Sequence, residues 1–241
     1  MSATTWGGGE SYVFNLARHA IDHGDDVTIV TDIRYPEIGR RFQAITQPFE
    51  IPLSFASLFP NIFRLRKLVR EKKISTINYH SGKVAFLAVM ASLVSQTPCV
   101  SFKHNIIKAK NDAYHNFLTK HLAAIVCVSE AVKRSVLGGA PNRYEHKHHM
   151  IYPGVTLPCD YKRHNAKRLR IGYAGRIVPN KGVEVLLKAF QQLGGDFELF
   201  VAGRCDTDYG RELQSRYDDA RIHFLGELDG EGYADKKLES V

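Results

Sequence analysis

Within YAGRIVPNKGVEVLL, residues 173–187, an arginine and a lysine stand on either side of a turn. Arg176 follows the end of an apolar run, and Lys181 lies just before a helical pattern. A guanidinium offers a planar fork of donors and an ammonium a compact charge, so the two can converge on one anion. The amino end of the following helix adds partial positive charge. That combination suits a diphosphate; the alternative is two solvated cations in a loop. His80 ends the run STINYH and His104 the run PCVSFKHN, and Arg204 follows FELFVAG. Each of the two histidines has a plainer reading as a hydrogen-bonded or core side chain. Near the amino end, TTWGGGESYVF places Gly7, Gly8 and Gly9 directly before a helical pattern, where a backbone without side chains can approach a ligand closely. EHKHH, residues 145–149, offers three histidines for a transition metal, but without regular ligand spacing, and reads as an exposed polar loop.

The elements that must position these groups follow from periodicity. Tyr12, Val13, Leu16, Ala17, Ala20 and Ile21 form a helical stripe over 10–23, with Gly24 as the residue that ends it. VTIVT (27–31) reads as a strand. Residues 62–73, IFRLRKLVREKK, predict a basic amphipathic helix, and 84–94, VAFLAVMASLV, a buried one. STINYH, PCVSFKHN and AAIVCVS read as strands, with Ser129 placed to cap the helix EAVKRSVL. MIYPGV (150–155) is a further strand ending in a turn. TLPCDYKRHNAKR is polar and without period, a linker, after which the pattern restarts: LRIGYAG, a helix over 181–193, FELFVAG and RIHFLG. Strands alternating with helices predict α/β architecture with parallel, doubly wound sheets, in two units. Ligands of such sheets bind beyond the carboxyl ends of the strands, where His80, His104, Arg176 and Arg204 all fall.

The bulk composition agrees with this. The 241 residues are 44% hydrophobic and 24% charged, ordinary for a globular protein. The formal charge of +8 suggests phosphate-bearing partners such as a nucleotide, anionic lipid or nucleic acid, with simple solubility as the alternative. No basic–aromatic interleaving or reading motif supports nucleic acid. Cys99, Cys127, Cys159 and Cys205 are widely spaced and read as free thiols of a reducing compartment, with Cys127 in the core. The longest apolar run is too short to span a bilayer, which takes roughly 20 residues. No basic-then-apolar leader pattern opens the chain. A cytoplasmic protein is expected. The basic helix 62–73 is a candidate contact with an anionic membrane face, against the commoner reading as a solvated helix face.

GGGESYVFNLARHAIDHGDDVTIVT and YAGRIVPNKGVEVLLKAFQQL together resemble the retaining family-4 glycosyltransferases of GT-B fold. PCVSFKHN, VCVSEAV, IYPGV, LFVAG and HFLG match further segments of that family, in its order and over nearly the whole chain. The resemblance implies two Rossmann-like domains with the active site in the cleft between them. It places an acceptor-side domain at 1–157, a linker at 158–168 and a partial nucleotide-sugar-binding domain at 169–241. It implies transfer of a sugar, with retained configuration, from a nucleoside-diphosphate sugar to an acceptor hydroxyl. The setting would be assembly of a polysaccharide, lipopolysaccharide or glycolipid. Arg176 and Lys181 would hold the donor diphosphate and stabilise charge on the leaving phosphate. Gly7, Gly8 and Gly9 would admit the donor phosphate or the acceptor. His104 would sit near the sugar and acceptor, and His80 is a candidate acceptor-side group. The acceptor would be a glycan or lipid-linked molecule, and neither cofactor nor catalytic metal is expected.

Relative to that family the chain is expected to be clipped at both ends. MSATTW is too short for the strand that normally precedes the glycine loop. Glu231 and Glu239 have the spacing of the family's E-x7-E pair but not its setting, and read as coincidence. The alternative functions are a catalytically inactive relative that keeps nucleotide or glycan binding, and a basic peripheral-membrane adaptor.

Overall fold

The structure is a computed structural model and describes residues 6–108, 110–138, 142–154 and 168–228. The chain divides into two compact units, Met1–Val155 and Thr156–Val241. The expected linker, 158–168, falls outside the described residues except for Arg168, and so do Cys159, Glu231 and Glu239.

The first unit alternates helices and short strands. α1 (Gly8–Asp22) leads to β1 (Val30–Asp32), α2 (Pro36–Phe42), β2 (Phe49–Ile51), α3 (Leu58–Glu71) and β3 (Ile77–Tyr79). Then come α4 (Ala85–Ser95), β4 (Cys99–Lys103), α5 (Ala113–His121), β5 (Ala124–Cys127), α6 (Glu130–Leu137) and β6 (His148–Met150). All pairings are parallel, as expected. They fall into two sheets, β1-β2 and β3-β4-β5-β6. α1 serves both. Val13 and Ala17 pack with Ile29, Ile38 and Phe42, while Tyr12 lies against His80, Phe102 and His104.

Local chemistry explains the element boundaries. Gly24, at φ +91, ends α1 as its position after the apolar stripe predicts. The Ser129 hydroxyl accepts from the Val132 N–H and starts α6. α4 has its apolar residues on all sides because Leu87, Ala88, Val89 and Ala91 are all buried, with Ala88 and Val89 in one core with Cys99 and Cys127. Asp32, buried at the end of β1, takes a two-pronged bond from Arg34 and the N–H of Leu53, tying the loop after β1 to the loop after β2.

Two expectations need correction. EHKHH is not an exposed loop. His146 and Lys147 close a helical turn, and His148 and His149 begin β6, with His148 paired beside Ile125 and buried. Its Nδ1 bonds the carbonyl of Tyr144 at 2.9 Å, so burial of an imidazole is balanced by a backbone partner. Correspondingly, only Met150 of MIYPGV lies in the strand. The glycine run is also not a free loop. Gly8 and Gly9 form the first turn of α1, and Gly7 is its extended cap residue. α2, β2 and α5 carry no strong period and were not expected from the sequence.

The second unit contains β7 (Leu169–Ala174), α7 (Val183–Gln191), β8 (Phe197–Ala202), α8 (Asp208–Arg216) and β9 (Ile222–Gly226). The strands form a parallel sheet in the order β7-β8-β9. Val183, Leu187 and Phe190 of α7 pack with Leu199, Val201 and Leu213 in a core of its own.

Candidate functional site

In the first unit the structure brings His80 and His104 together. Each follows the last residue of its strand, β3 and β4, and those strands are parallel neighbours. Their ring nitrogens, His80 Nδ1 and His104 Nε2, are 3.1 Å apart, a hydrogen bond whose donor depends on the tautomers. His80 stacks on Phe102, with ring centroids 4.5 Å apart, and Tyr12 meets His104 edge-on at 4.9 Å. Burial, reinforced by the neighbouring His104, pushes His80 down to about 3, and burial lowers His104 as well. Both imidazoles are therefore neutral near pH 7. A neutral pair of this kind offers one nitrogen that donates and one that accepts, which suits orientation of a hydroxyl. Lys103, the last residue of β4, is also lowered by burial. Two and three residues beyond His104 in the chain, Ile106 and Ile107 are 70% and 66% exposed.

Tyr12 links this pair to the glycines, because it lies one turn into the helix that they begin. Gly7 has no side-chain cap to offer α1, and the N–H groups of a first helical turn have no intrahelical partners. A Cβ at Gly8 or Gly9 would meet nothing within 4 Å, so the space over that turn is open. Trp6 fixes the approach: its Nε1 donates to Ser11 Oγ at 2.9 Å, and its ring packs on Phe14 and Phe42.

In the second unit Arg176 and Lys181 flank the turn between β7 and α7, as the sequence predicts. Both are exposed. The surrounding cations are all paired. Arg168 and Arg170 reach Glu198, Lys188 and Arg216 reach Glu184, and Arg204, Arg211 and Arg221 reach Asp206, Asp208 and Asp219. Among the described residues of this unit, Arg176 and Lys181 are the cations without an acidic partner. Arg204, at the end of β8, is committed to Asp206 at 2.6 Å. Three glycines form the rim beside Arg176. Gly175 N–H bonds Ala202, and Gly203 N–H bonds Gly226. Gly203 has φ +158, and a Cβ there would lie 2.1 Å from the Gly175 carbonyl oxygen. Only glycine fits that approach, which leaves bare backbone at the carboxyl ends of β7, β8 and β9. The sequence pointed to Arg176, Lys181 and the histidines, but not to Tyr12, Phe102 or Gly203, whose roles depend on tertiary neighbours.

Comparison with known proteins agrees with the fold. The sequence profile of Glycosyltransferase Family 4 matches residues 6–157. The chain belongs to that family. No curated protein matches it significantly. Among solved structures, Anabaena Alr3699/HepE, in complex with UDP and glucose, superposes with a TM-score of 0.70 at 19% identity, covering 95% of this chain and 68% of that one. A glycosyltransferase from Rickettsia africae gives 0.74 at 17%, covering 95% and 67%. The lipopolysaccharide outer core galactosyltransferase WaaB gives 0.66 at 12%, covering 99% and 70%. The fold is that of the GT-B glycosyltransferases.

Proposed function

We propose that this protein transfers a sugar from a nucleoside-diphosphate sugar to an acceptor hydroxyl, with retention, in assembly of a polysaccharide, lipopolysaccharide or glycolipid. Family membership supports this reading over a binding-only or adaptor role. The observation that carries it is the pairing pattern of the second unit, where Arg176 and Lys181 remain free beside a glycine-lined strand end. A diphosphate supplies the counter-charge those two residues lack. As the bond to the sugar breaks, negative charge grows on the departing phosphate, and pre-placed cations stabilise it without rearrangement. HepE was solved with UDP and with UDP-glucose, which supports a nucleotide-sugar donor here.

His104, held by His80, orients an acceptor or sugar hydroxyl, and the open first turn of α1 receives a phosphate or sugar oxygen. The acceptor is a glycan or lipid-linked molecule, and the exposed Ile106 and Ile107 are apolar surface for it. The basic residues of 62–73 touch an anionic membrane face, which makes the protein peripheral to the cytoplasmic side of the membrane. Domain roles follow the resemblance, with acceptor binding at 1–157 and donor binding at 169–241.

The test is donor turnover. Arg176→Ala and Lys181→Ala are each expected to lower kcat for donor hydrolysis or transfer by about 10²–10³-fold, the usual loss for one charge-stabilising group. Turnover that survives both substitutions would refute the assignment.

A further inference from the structure

The exposed face of α3 carries aromatic residues that the basic character of this helix does not explain. Phe55, Phe59 and Phe63 are 92%, 72% and 63% exposed. At 3.6 residues per turn, Phe59, Phe63, Arg66 and Arg70 fall within an arc of about 60° on one side of the helix. The side about a quarter-turn round is already used: Ile62 and Val69 are buried and α3 packs on α4. So α3 has two apolar stripes, one against the core and one in solvent. Large contiguous apolar surface in solvent marks an interaction site.

The exposed stripe is held in place. Asn61 is fully buried and donates to the Pro52 carbonyl at 2.6 Å and to Ser57 Oγ at 3.2 Å. Ser57 Oγ in turn accepts from the N–H of Ser54. These bonds fix the turn that presents Phe55 against the first turn of the helix. The other half of the face is cationic. Arg66 and Arg70 have no acidic partner among the described residues, and Lys67 has only Glu71, at 3.7 Å. Phe63, Arg66, Lys67, Arg70 and Glu71 line an open groove there, four of the five apolar or cationic. Aromatic side chains at one end of a helix face and free cations at the other match a bilayer interface with anionic headgroups.

We propose that α3 lies in the interface of an anionic bilayer, with Phe55, Phe59 and Phe63 inserted below the headgroups and Arg66, Lys67 and Arg70 bound to lipid phosphates. This deepens, and rests on, the membrane part of the reading above: the contact is insertion, not surface adsorption alone. Charge complementarity selects the anionic leaflet.

The experiment is flotation of the full chain with phosphatidylcholine vesicles, with and without phosphatidylglycerol, together with surface-pressure measurement on a phosphatidylglycerol monolayer. Wild type is expected to float with the anionic vesicles and to raise the monolayer pressure. The triple variant Phe55→Ser/Phe59→Ser/Phe63→Ser should lose about tenfold or more in vesicle affinity at low salt and leave the pressure unchanged. Because all three side chains are exposed, its circular dichroism and Tm should match wild type. The variant Arg66→Gln/Lys67→Gln/Arg70→Gln should bind with a weaker salt dependence. Equal binding and equal pressure rise by the serine variant would overturn insertion. Failure of wild type to bind anionic vesicles would overturn the membrane contact altogether. A lipid-free dimer that the serine variant dissociates would put a second copy of the chain on this face and also overturn the proposal. Arg176→Ala should bind vesicles like wild type, so sugar transfer and membrane insertion stand or fall separately.

Discussion

The two histidines and the two cations differ in how their chemistry is set. Arg176 and Lys181 are charged and exposed; their specificity comes from lacking the acidic neighbours that every other described cation of their unit has. His80 and His104 are neutral because they are buried together. That burial has a pH signature. His80 has a folded value of about 3 against 6.5 when exposed, so the unfolded chain binds its proton first. Stability is therefore expected to fall as pH drops from about 6.5 toward 3. Asp32 adds to this at lower pH. Burial raises it, but the bonds from Arg34 and Leu53 leave it below 3.8, so its contribution is lost as pH falls through the folded value. Urea unfolding across this range should show the acid decline, and His80→Phe should flatten its upper part. The same variant should lower transfer to acceptor more than donor hydrolysis, as the proposed role of His80 in positioning His104 requires. An unchanged acid limb in His80→Phe would remove the buried neutral pair as its cause.

At the scale of elements, what could be read in advance was what is written locally. Ser129 before EAVKRSVL marked a cap, Gly24 marked a helix end, and the stripe Val183, Leu187, Phe190 marked α7. VTIVT reads as a strand from Val27 because it is β-branched throughout, whereas ladder bonds begin only at Val30. α2 and β2 are short and depend on Asp32, Arg34 and Leu53, contacts invisible to a local window. EHKHH reads as an exposed loop because histidines are polar, while His148 is buried with its Nδ1 on the Tyr144 carbonyl. Lys147 repeats the lesson. Its Nζ donates to the carbonyls of Thr119, Lys120 and Leu122 at the carboxyl end of α5, where a helix leaves carbonyls short of intrahelical partners. Lys147→Met should destabilise the first unit by about 1.5–3 kcal/mol, measured by thermal unfolding. Gly203→Ala should cost about 3 kcal/mol and displace the turn carrying Arg176, because its methyl group meets the Gly175 carbonyl. A Gly203→Ala protein with wild-type Tm and turnover would contradict that geometry.

For the whole molecule, the order of segments was legible because each α/β repeat carries its own period. The candidate sites were legible because parallel strands all send their following residues to one edge. What was not legible is which groups meet. Nothing in the sequence says that His80 pairs with His104, that Tyr12 closes over His104, or that the strands of the first unit divide into two sheets. The first unit is packed around two clusters, one at Val89 and Cys127 and one at Val13 and Phe42, and the second unit around Leu199 and Leu213, with no buried residue shared between the units. Cores that share no residues are expected to unfold as separate cooperative steps. Val89→Ala should shift one step and Leu199→Ala the other, the latter by about 2–5 kcal/mol. A single transition moved equally by both would show the two units to be one cooperative body.

Trp6 is the one tryptophan in the chain, next to Gly7 and bonded to Ser11 inside the turn that the glycines begin. Its ring also lies under the Arg41 guanidinium at 5.0 Å, so its surroundings are part apolar and part charged. The protein thus carries an optical reporter at the amino end of α1, with no other indole to obscure it. Emission from this one ring is therefore expected to report the proposed binding of a sugar or phosphate at the glycine turn, without a label and without waiting for turnover.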